Sequence, residues 1–458
     1  MSGNAALGRG VLGAYGAPSF AQAFIHGPAI SVLQGIYAKF FGLSLQEIAF
    51  VILISRIFDA VNDPIVGFLS DRYRARHGTR KPWLLAGSLI AVIACWFLYV
   101  PGGEVTMWSF LFWYLLADIG WTVSEVPYSA WLAEISDDYE ERARITTWRS
   151  MGRFLGLQAF FGLPIALQSI TGSTEFTPET LRWAAGLAAV ALLGTALVAT
   201  LVVPNGRRRE KSSAGGDGSS SLVNAGRAVA GNRPLLSFTG MFAIGGLGAG
   251  IASGLSFFYI DGYLQLGEQL SVVMIISIPI SLVATPVWGT LCRRFGKQQA
   301  WAVGYVGAGV ASLSYYFIGP GENAALLLIT ALLVVNALIV VEAVAAPAVL
   351  ADVVDYGRLR FRDDHAGSYF AFYAMVQKIN VGIGAALGLL IAGTFGFDAT
   401  VTTQSASGRF GLLLAFSLLP AAFLCIAAMW IWRFPIDRRR HAVIIAAIER
   451  RAAREVEP

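Results

Sequence analysis

A succession of long apolar segments constrains this chain more than any other feature of its sequence. Each is long enough to cross about 30 Å of hydrocarbon as an α-helix. We count twelve, at residues 16–41, 46–70, 82–101, 106–135, 145–170, 181–204, 235–263, 270–292, 299–319, 323–354, 365–396 and 408–433. The 458 residues are 56% hydrophobic and only 14% charged, which is too apolar for an ordinary soluble protein. The sequence therefore predicts an all-α membrane protein with twelve transmembrane helices.

Basic residues of the loops are concentrated in alternate loops between these segments, while the opposite loops are nearly free of them, a bias that marks the cytoplasmic side of a membrane. They are Arg72, Arg74, Arg76, Arg80, Lys81, Arg142, Arg144, Arg207, Arg208, Arg209, Lys211, Arg293, Arg294, Lys297, Arg358, Arg360 and Arg362. We therefore expect a multi-pass protein of the cell (inner) membrane with both termini in the cytoplasm. The isoelectric point near 9.1 reflects this topology, so no nucleic-acid partner is expected. The stretch MSGNAALGRGVLGAYG lacks the parts of a signal peptide, so we expect the first helix to remain in the mature chain.

The chain divides once, where the apolar pattern gives way to Gly, Ser and charged residues typical of a flexible linker. We predict an N-terminal six-helix bundle at 1–204, a cytoplasmic linker at 205–234, a C-terminal six-helix bundle at 235–433 and an amphipathic cytoplasmic tail at 434–458. The halves resemble each other, with Pro64 and Gly67 of the second segment equivalent to Pro286 and Gly289 of the eighth. Such a duplication predicts two bundles related by an axis along the membrane normal, with a solute site between them at mid-depth.

The second segment carries two acids, Asp59 and Asp63, one helical turn apart. A carboxylate in mid-membrane costs at least a few kcal/mol, so it is kept where it faces a cavity, a partner or an ion. Two ionised acids on one helix face repel each other unless they share a proton or jointly hold a small hard cation. Arg56, one turn away, balances charge, and Pro64 leaves the carbonyl of Ala60 without its helical donor. The alternative is a static ion pair between one acid and a basic residue such as Arg56.

Other polar residues fall within apolar segments. Glu125 and Arg149 form either part of a binding site or a packed salt bridge between neighbouring helices. We interpret Glu342 and Asp118 as structural. Gln22 with His26 and the three cysteines are interpreted as core residues, and no disulfide or thiolate metal site is expected. Aromatic rings beside such polar groups suit the mixed surface of a sugar; they are Trp121, Tyr128, Trp131, Tyr369 and Tyr373.

Three stretches carry a resemblance to a known family: SRIFDAVNDPIVGFLSDRYRARHGTRKPW, VPYSAWLAEISDDYEERARI and LADVVDYGRLR. They resemble the glycoside-pentoside-hexuronide cation symporters, the melibiose permease group of the major facilitator superfamily. The similarity spans nearly the whole chain, and the pattern Asp-Ala-x-x-Asp-Pro-x-x-Gly followed by Asp-Arg is specific to that group. The resemblance implies the major facilitator superfamily fold, with twelve transmembrane helices in two six-helix bundles.

The resemblance also implies roles for single residues. The predicted cation-binding residues are Asp59, Asp63, Thr122 and Glu125, with Asp59 and Asp63 as the metal ligands if the ion is Na⁺. Arg149 and Lys378 match residues of the family's sugar site, and the predicted substrate site comprises Ala23, Arg149, Trp121, Tyr128, Lys378 and Tyr373. Two loops resemble the superfamily's cytoplasmic signature, and their predicted gating residues are Asp71, Arg72, Arg293 and Arg294. Galactoside carriers have an aspartate and two tryptophans where this chain has Ala23, Ser129 and Ala343, which argues against a melibiose-like substrate.

The leading prediction is a monomeric secondary active transporter that couples a glycoside, pentoside or hexuronide to Na⁺ or H⁺ by alternating access. One alternative is a cation-coupled carrier of lysolipids or other amphipathic solutes, because relatives with the same aspartate pair move lipids. Another is a sensor that kept the bundle without transport, against which the intact acid pair argues. The chain has no phosphate-cradling glycine loop or metal-ligand cluster, so neither an enzyme nor a cofactor is expected.

Overall fold

The computed structural model describes residues 7–27, 31–136, 138–206, 229–361 and 366–456, without the side chains of Tyr139 and residues 452–456. Residues 207–228 of the predicted linker, with their five basic residues, and Arg362 lie outside the described residues. Within the described ranges the chain is helical and has no strand. It separates into two compact units. The domain boundaries predicted from the sequence are a separate proposal. The first unit comprises Met1–Ser212, Ser256–Ile275 and Gly396–Ser405; the second comprises Ser213–Leu255, Ile276–Phe395 and Ala406–Pro458.

The first unit contains seven long or medium helices within its described part. They are α1 (Arg9–His26), α2 (Leu33–Phe41), α3 (Leu45–His77), α4 (Lys81–Tyr99), α5 (Met107–Ile135), α6 (Tyr139–Thr171) and α7 (Pro178–Val202). Local sequence explains where the two central helices begin. Ser44 and Glu47 form a capping box at the start of α3, and Thr106 and Ser109 do the same for α5.

Glycine sets how closely α4 and α5 pack. A Cβ atom on Gly120 would overlap the backbone of Ala91, and one on Gly87 would overlap the backbone of Ser124. Small residues of this kind let two membrane helices approach until their backbones touch. Because α5 also packs against α3, this contact fixes α5 between two neighbours.

The second unit contains the remaining helices. They are α8 (Arg233–Phe257), α9 (Leu270–Ser277), α10 (Ile280–Phe295), α11 (Lys297–Ser312), α12 (Ser314–Phe317), α13 (Ala324–Ile339), α14 (Val341–Phe361), α15 (Ala366–Thr394), α16 (Ala406–Leu413), α17 (Leu419–Trp432) and α18 (Arg438–Val456). The last residues of α8 and most of α9 belong to the first unit. Two π-helical turns, Phe258–Tyr263 and Leu414–Leu418, interrupt the regular geometry.

The tail helix predicted from the sequence is present as α18. It packs along α14 with Ile444 buried and Ile448 partly buried, while Val443 points outward. The ring of His441 lies 3.0 Å from Asp355 and 3.4 Å from Asp352, both on α14. An apolar contact and an ionic contact therefore hold the beginning of this helix.

Eight helical stretches of the described chain are long and apolar enough to cross a membrane by length and composition. They coincide with the predicted third, fifth to eighth, and tenth to twelfth spans. The first predicted span is divided between α1 and α2, and the ninth between α11 and α12. The second and fourth correspond to α3 and α5, which carry the acidic residues discussed below.

Candidate functional site

The acid pair of α3 is divided between two different partners. An Oδ2 atom of Asp59 lies 2.9 Å from Nη1 of Arg56, three residues earlier on the same helix. An Oδ1 atom of Asp63 accepts a hydrogen bond of 2.9 Å from the hydroxyl of Thr122 on α5. Asp59 is buried, whereas Asp63 is half-buried. The ion pair with Arg56 that the sequence offered as an alternative is therefore present for Asp59, and Asp63 is hydrogen-bonded across the helix interface.

The opposite side of α3 is apolar and exposed. Ile57, Val61 and Ile65 follow one another at helical spacing and are each more than half exposed. An ordinary surface helix places its polar face outward, so α3 has the reverse polarity. Pro64 lies inside the helix and is itself exposed. The acids thus belong to the packed side of the helix, where a charge needs a partner or an ion.

A second polar group surrounds Glu125 on α5. Its Oε1 atom pairs with Arg149 of α6 and accepts a hydrogen bond of 3.1 Å from Ser129. Arg149 also donates to the hydroxyl of Ser129 over 2.8 Å, and Arg153 lies 3.5 Å from the same carboxylate. The other carboxylate oxygen, Oε2, is buried and has no hydrogen-bond partner among the described residues. A hydroxyl-bearing solute or a cation can therefore be bound by this oxygen.

Aromatic rings border this group. Trp121 stacks on His26 of α1, with ring centroids 3.9 Å apart and planes 12° from parallel. The guanidinium of Arg149 lies over the ring of Tyr128, 4.8 Å from its centroid. Tyr128 itself is buried, stacks on Tyr15 and donates its hydroxyl to the Tyr15 carbonyl. The buried ring of Tyr128 therefore packs against the guanidinium of Arg149. Trp121, by contrast, is partly accessible.

A small cavity lies inside the first unit next to Trp121. Its volume is about 20 Å³, which is room for one water-sized molecule. Polar side chains in its wall are Gln22, His26, Ser88 and Ser124. Gln22 is buried and donates to the hydroxyl of Ser124 over 2.8 Å, so its interpretation as a hydrogen-bonded core residue is confirmed. Ala23, its neighbour on α1, is buried and offers no polar group.

The predicted substrate residues of the second unit lie on α15. Tyr373 packs against Phe242 of α8, with ring centroids 4.7 Å apart. Lys378 lies further along the same helix and has polar or electrostatic contacts of its own. Glu342 of α14 accepts a hydrogen bond of 2.5 Å from the hydroxyl of Tyr305 on α11. A mid-span acid in this unit is therefore bonded to a neutral hydroxyl, as our structural interpretation of Glu342 requires.

The predicted gating residues differ in how strongly they are held. Asp71 pairs with Arg80, which also binds Glu134 at 2.7 Å, and Glu134 receives Arg74 at 2.6 Å. Burial by itself lowers the pKa of Arg80, but the carboxylates of Glu134 and Asp71 outweigh it and raise that pKa above its ordinary value. All four predicted gating residues are exposed, and among them Asp71 pairs with the buried Arg80. The described structure thus centres the loop cluster of the first unit on Arg80 and Glu134, which the sequence did not single out.

Asp118, which we interpreted from the sequence as structural, lies close to the acid pair of α3. Its carboxylate lies 3.6 Å from Nη2 of Arg56, so it belongs to the same charged group as Asp59. A signal was available, because Asp118 precedes Thr122 by four residues and Glu125 by seven. Residues at these spacings share one face of a helix.

Comparisons with known proteins identify the family and the fold of this chain. A family model described as MFS/sugar transport protein matches residues 14–438. The putative glycoside/cation symporter YagG of Escherichia coli (strain K12) is 26% identical over 452 residues, which cover 96% of this chain and 95% of the relative. The sodium-dependent lysophosphatidylcholine symporter 1-A of Danio rerio is 24% identical over 445 residues, covering 89% and 82%. The crystal structure of the nucleoside transporter NupG matches with a TM-score of 0.69 at 14% identity, covering 93% of this chain and 99% of NupG.

Proposed function

This chain belongs to the MFS/sugar transport protein family, and from that premise we propose that it is a cation-coupled symporter of a glycoside, pentoside or hexuronide. The family and the structural likeness confirm the predicted fold class, the major facilitator superfamily fold. Proteins of this family and fold are membrane transporters and not enzymes. The proposed coupling ion is Na⁺ or H⁺. We propose further that the protein is a monomer in the cell (inner) membrane and that both of its termini lie in the cytoplasm.

The observation that carries the proposal is the acid pair on the packed side of α3. Asp59 and Asp63 present carboxylate oxygens one turn apart, and Thr122 adds a hydroxyl oxygen next to Asp63. Oxygen donors of this kind suit a small hard cation, and a carboxylate alone suits a proton. Arg56 supplies a positive charge while the cation is absent. Asp59, Asp63 and Thr122 can therefore bind a cation or a proton, which a purely structural helix would not need to do.

The solute end of the proposal rests on Glu125 and its surroundings. Glu125 lies three residues after Thr122, so one helix carries both a ligand of the cation side and an acid on the solute side. Arg149 and Ser129 provide donors, and Trp121 provides a partly accessible ring. Sugars bind to such combinations through hydroxyl hydrogen bonds and apolar ring faces. Lys378 and Tyr373 are proposed as the contribution of the second unit.

The mechanism follows from the coupling of these two ends. A bound cation neutralises charge at Asp59 and Asp63 and orders Thr122 on α5. Ordering of α5 then presents Glu125 and Arg149 to the solute, so the loaded state is favoured over either half-loaded state. The loaded protein changes from outward access to inward access, and both ligands leave on the cytoplasmic side.

A second candidate function is symport of an amphipathic lipid. Two observations favour it: Ala23 is apolar where a sugar-binding acid is found in galactoside carriers, and one relative is a lysophosphatidylcholine symporter. An apolar site with few hydroxyl ligands would suit an acyl chain. The same acid pair would then drive a different solute.

One experiment distinguishes these functions. The purified chain is reconstituted in liposomes, and uptake of labelled glycosides, pentosides, hexuronides and lysolipids is measured under an inward Na⁺ gradient or an inward proton gradient. We expect accumulation of a member of the sugar classes under one gradient only. Accumulation of a lysolipid alone selects the second candidate, and no gradient-driven accumulation of any solute contradicts both.

A further inference from the structure

Arg56 is shared between two carboxylates in the interior of the first unit. Its Nη1 atom faces Asp59 at 2.9 Å, and its Nη2 atom faces Asp118 of α5 at 3.6 Å. Asp118, Asp59 and Arg56 are 3%, 4% and 7% exposed, so solvent does not screen the group. Nη2 also donates to the hydroxyl of Ser55 over 2.9 Å. One guanidinium therefore has a near carboxylate on its own helix and a second carboxylate, slightly further away, on the neighbouring helix.

The charges of this group are unequal. An arginine stays protonated under all physiological conditions, so Arg56 cannot leave by losing a proton. Two carboxylates, Asp59 and Asp118, share this one guanidinium. Unpaired buried charges are strongly unfavourable, and removal of one partner from a buried pair is typically costly. A second cation that enters next to Asp59 can bind there only if Arg56 has another acceptor to turn to.

We propose that Asp118 is a positioning residue that receives Arg56 when the coupling cation occupies Asp59. In the structure Arg56 lies closer to Asp59 than to Asp118. In the loaded protein the cation takes the Asp59 carboxylate, and Arg56 shifts to Asp118 across the interface of α3 and α5. This inference rests on the proposed cation site at Asp59 and Asp63, and it adds a residue that decides how readily that site fills.

The position of Asp118 supports this role. It lies on the same face of α5 as Thr122, which already binds Asp63. Tyr114, one turn earlier on α5, is buried as well, so Asp118 lies on a packed side of this helix. Transfer of Arg56 to α5 would therefore strengthen the contact of α3 with the helix that carries Glu125.

The decisive variant is Asp118→Asn, which keeps the shape of the side chain and removes its charge. Arg56 then has Asp59 as its remaining carboxylate and competes more strongly with the cation. In proteoliposomes we expect the half-saturating concentration of the driving cation to rise about tenfold or more, within the usual range of coupling between sites. The maximal uptake rate at saturating cation is expected to stay within about twofold, because the ligands of cation and solute are intact.

The double variant Arg56→Gln with Asp118→Asn separates this role from simple support of the fold. It removes the competitor together with its second acceptor, so we expect the half-saturating cation concentration to return to that of the unmodified protein or below it. A purely structural Asp118 predicts a lower yield of folded protein in both variants and no such return. Glu342→Gln, an acid of the second unit bonded to Tyr305, is the matched control and should leave the cation dependence unchanged.

Failure of this inference can be distinguished from failure of the proposed function. If Asp59→Asn abolishes gradient-driven uptake while Asp118→Asn leaves the half-saturating cation concentration unchanged, the cation site stands and the role of Asp118 is wrong. If Asp59→Asn accumulates solute like the unmodified protein, the cation site itself is wrong and the inference falls with it. Recovery in the double variant, with loss in Asp118→Asn alone, supports the exchange.

Discussion

Helices α3 and α10 occupy equivalent places in the two halves of the sequence, yet they use their polar positions differently. Both contain the spaced proline and glycine, Pro64 with Gly67 and Pro286 with Gly289. Where α3 has Asp59 and Asp63, α10 has Ser281 and Thr285. The hydroxyl of Thr285 donates to the carbonyl of Ser281 over 2.6 Å, so it is satisfied within its own helix.

The difference between α3 and α10 shows that two related helices can differ in whether their polar side chains need partners from outside the helix backbone. A serine or threonine can return its hydroxyl to a backbone carbonyl and needs no partner from outside. A carboxylate accepts but does not donate, so it must find a donor or a cation elsewhere. The acids of α3 accordingly reach Arg56 and Thr122. The proline and glycine of the repeat are therefore present in both helices. The carboxylates, which need a donor or a cation from elsewhere, are present at these positions in α3 and absent from them in α10.

The largest expected effect comes from removing the charge on α3. In Asp59→Asn or Asp63→Asn the cation site is lost, so we expect gradient-driven accumulation to disappear while some solute binding remains. Ser281→Ala and Thr285→Ala are the matched variants on α10 and should keep most of the accumulation. Uptake into proteoliposomes under an imposed gradient measures both. If the variants of α3 and of α10 lost accumulation equally, the proposed functional difference between the two helices would be wrong.

The next effect concerns the coupling between cation and solute through Glu125. In the unmodified protein we expect the cation to raise solute affinity by about 5-fold to 150-fold, and the solute to raise cation affinity by the same factor. Glu125→Gln should bring this factor close to one, because we propose that the carboxylate of Glu125 bridges the cation site and the solute site. Calorimetric solute titrations with and without cation give the factor directly. An undiminished value would make Glu125 a structural partner of Arg149, and Glu342→Gln serves as the control from the second unit.

A smaller effect is expected from packing. Gly120→Ala places a methyl group against the backbone of Ala91, and such overpacking costs about 1–3 kcal/mol of unfolding free energy. At Gly289 of α10 the nearest atom is the flexible end of Arg293, at 3.8 Å, so Gly289→Ala should change stability by less than about 0.5 kcal/mol. Thermal unfolding of the purified variants measures the difference. A loss in Gly289→Ala as large as that in Gly120→Ala would mean that the second unit packs α10 as tightly as the first packs α5.

The smallest effect is expected at the tail. His441→Gln removes the partly exposed contacts with Asp352 and Asp355, and such contacts contribute less than about 1 kcal/mol. Coupling and accumulation should be unchanged, since this cluster contains no ligand of the proposed sites. Truncation after Pro435 removes α18 altogether. If either change strongly altered transport kinetics in the uptake assay, the tail would have a role beyond anchoring.

The helices could be predicted because membrane-spanning backbones must satisfy their hydrogen bonds internally, so long apolar runs leave little choice of structure. The acid pair could be identified for a related reason, since charge stands out in an apolar run. The sequence offered an ion pair of Arg56 with either acid, but it did not show that Asp59 takes Arg56 while Asp63 takes Thr122. The second contact depends on how α3 packs against α5, because Thr122 lies on α5.

Two further features lay outside what the sequence could give. The cluster of Arg74, Arg80 and Glu134 brings together residues more than 50 positions apart, and a loop rich in arginine does not reveal which one an acid will select. The π-helical turn at Phe258–Tyr263, with the sequence FYIDGY, was not predicted from the sequence. Both result from tertiary packing rather than from local preference.

Arg56 and Asp59 are three residues apart on one helix, so the guanidinium never moves far from the carboxylate. A group held by so short a connection behaves as a ligand at a fixed effective concentration, typically millimolar even for flexible tethers. At the proposed cation site, the dissolved cation would compete with Arg56 for the carboxylate of Asp59. The range of cation concentrations over which such a carrier responds would then depend on its own side chains. Arg56→Lys, which shortens the reach of the charge and removes its forked geometry, is therefore expected to move that window without removing any ligand of the ion.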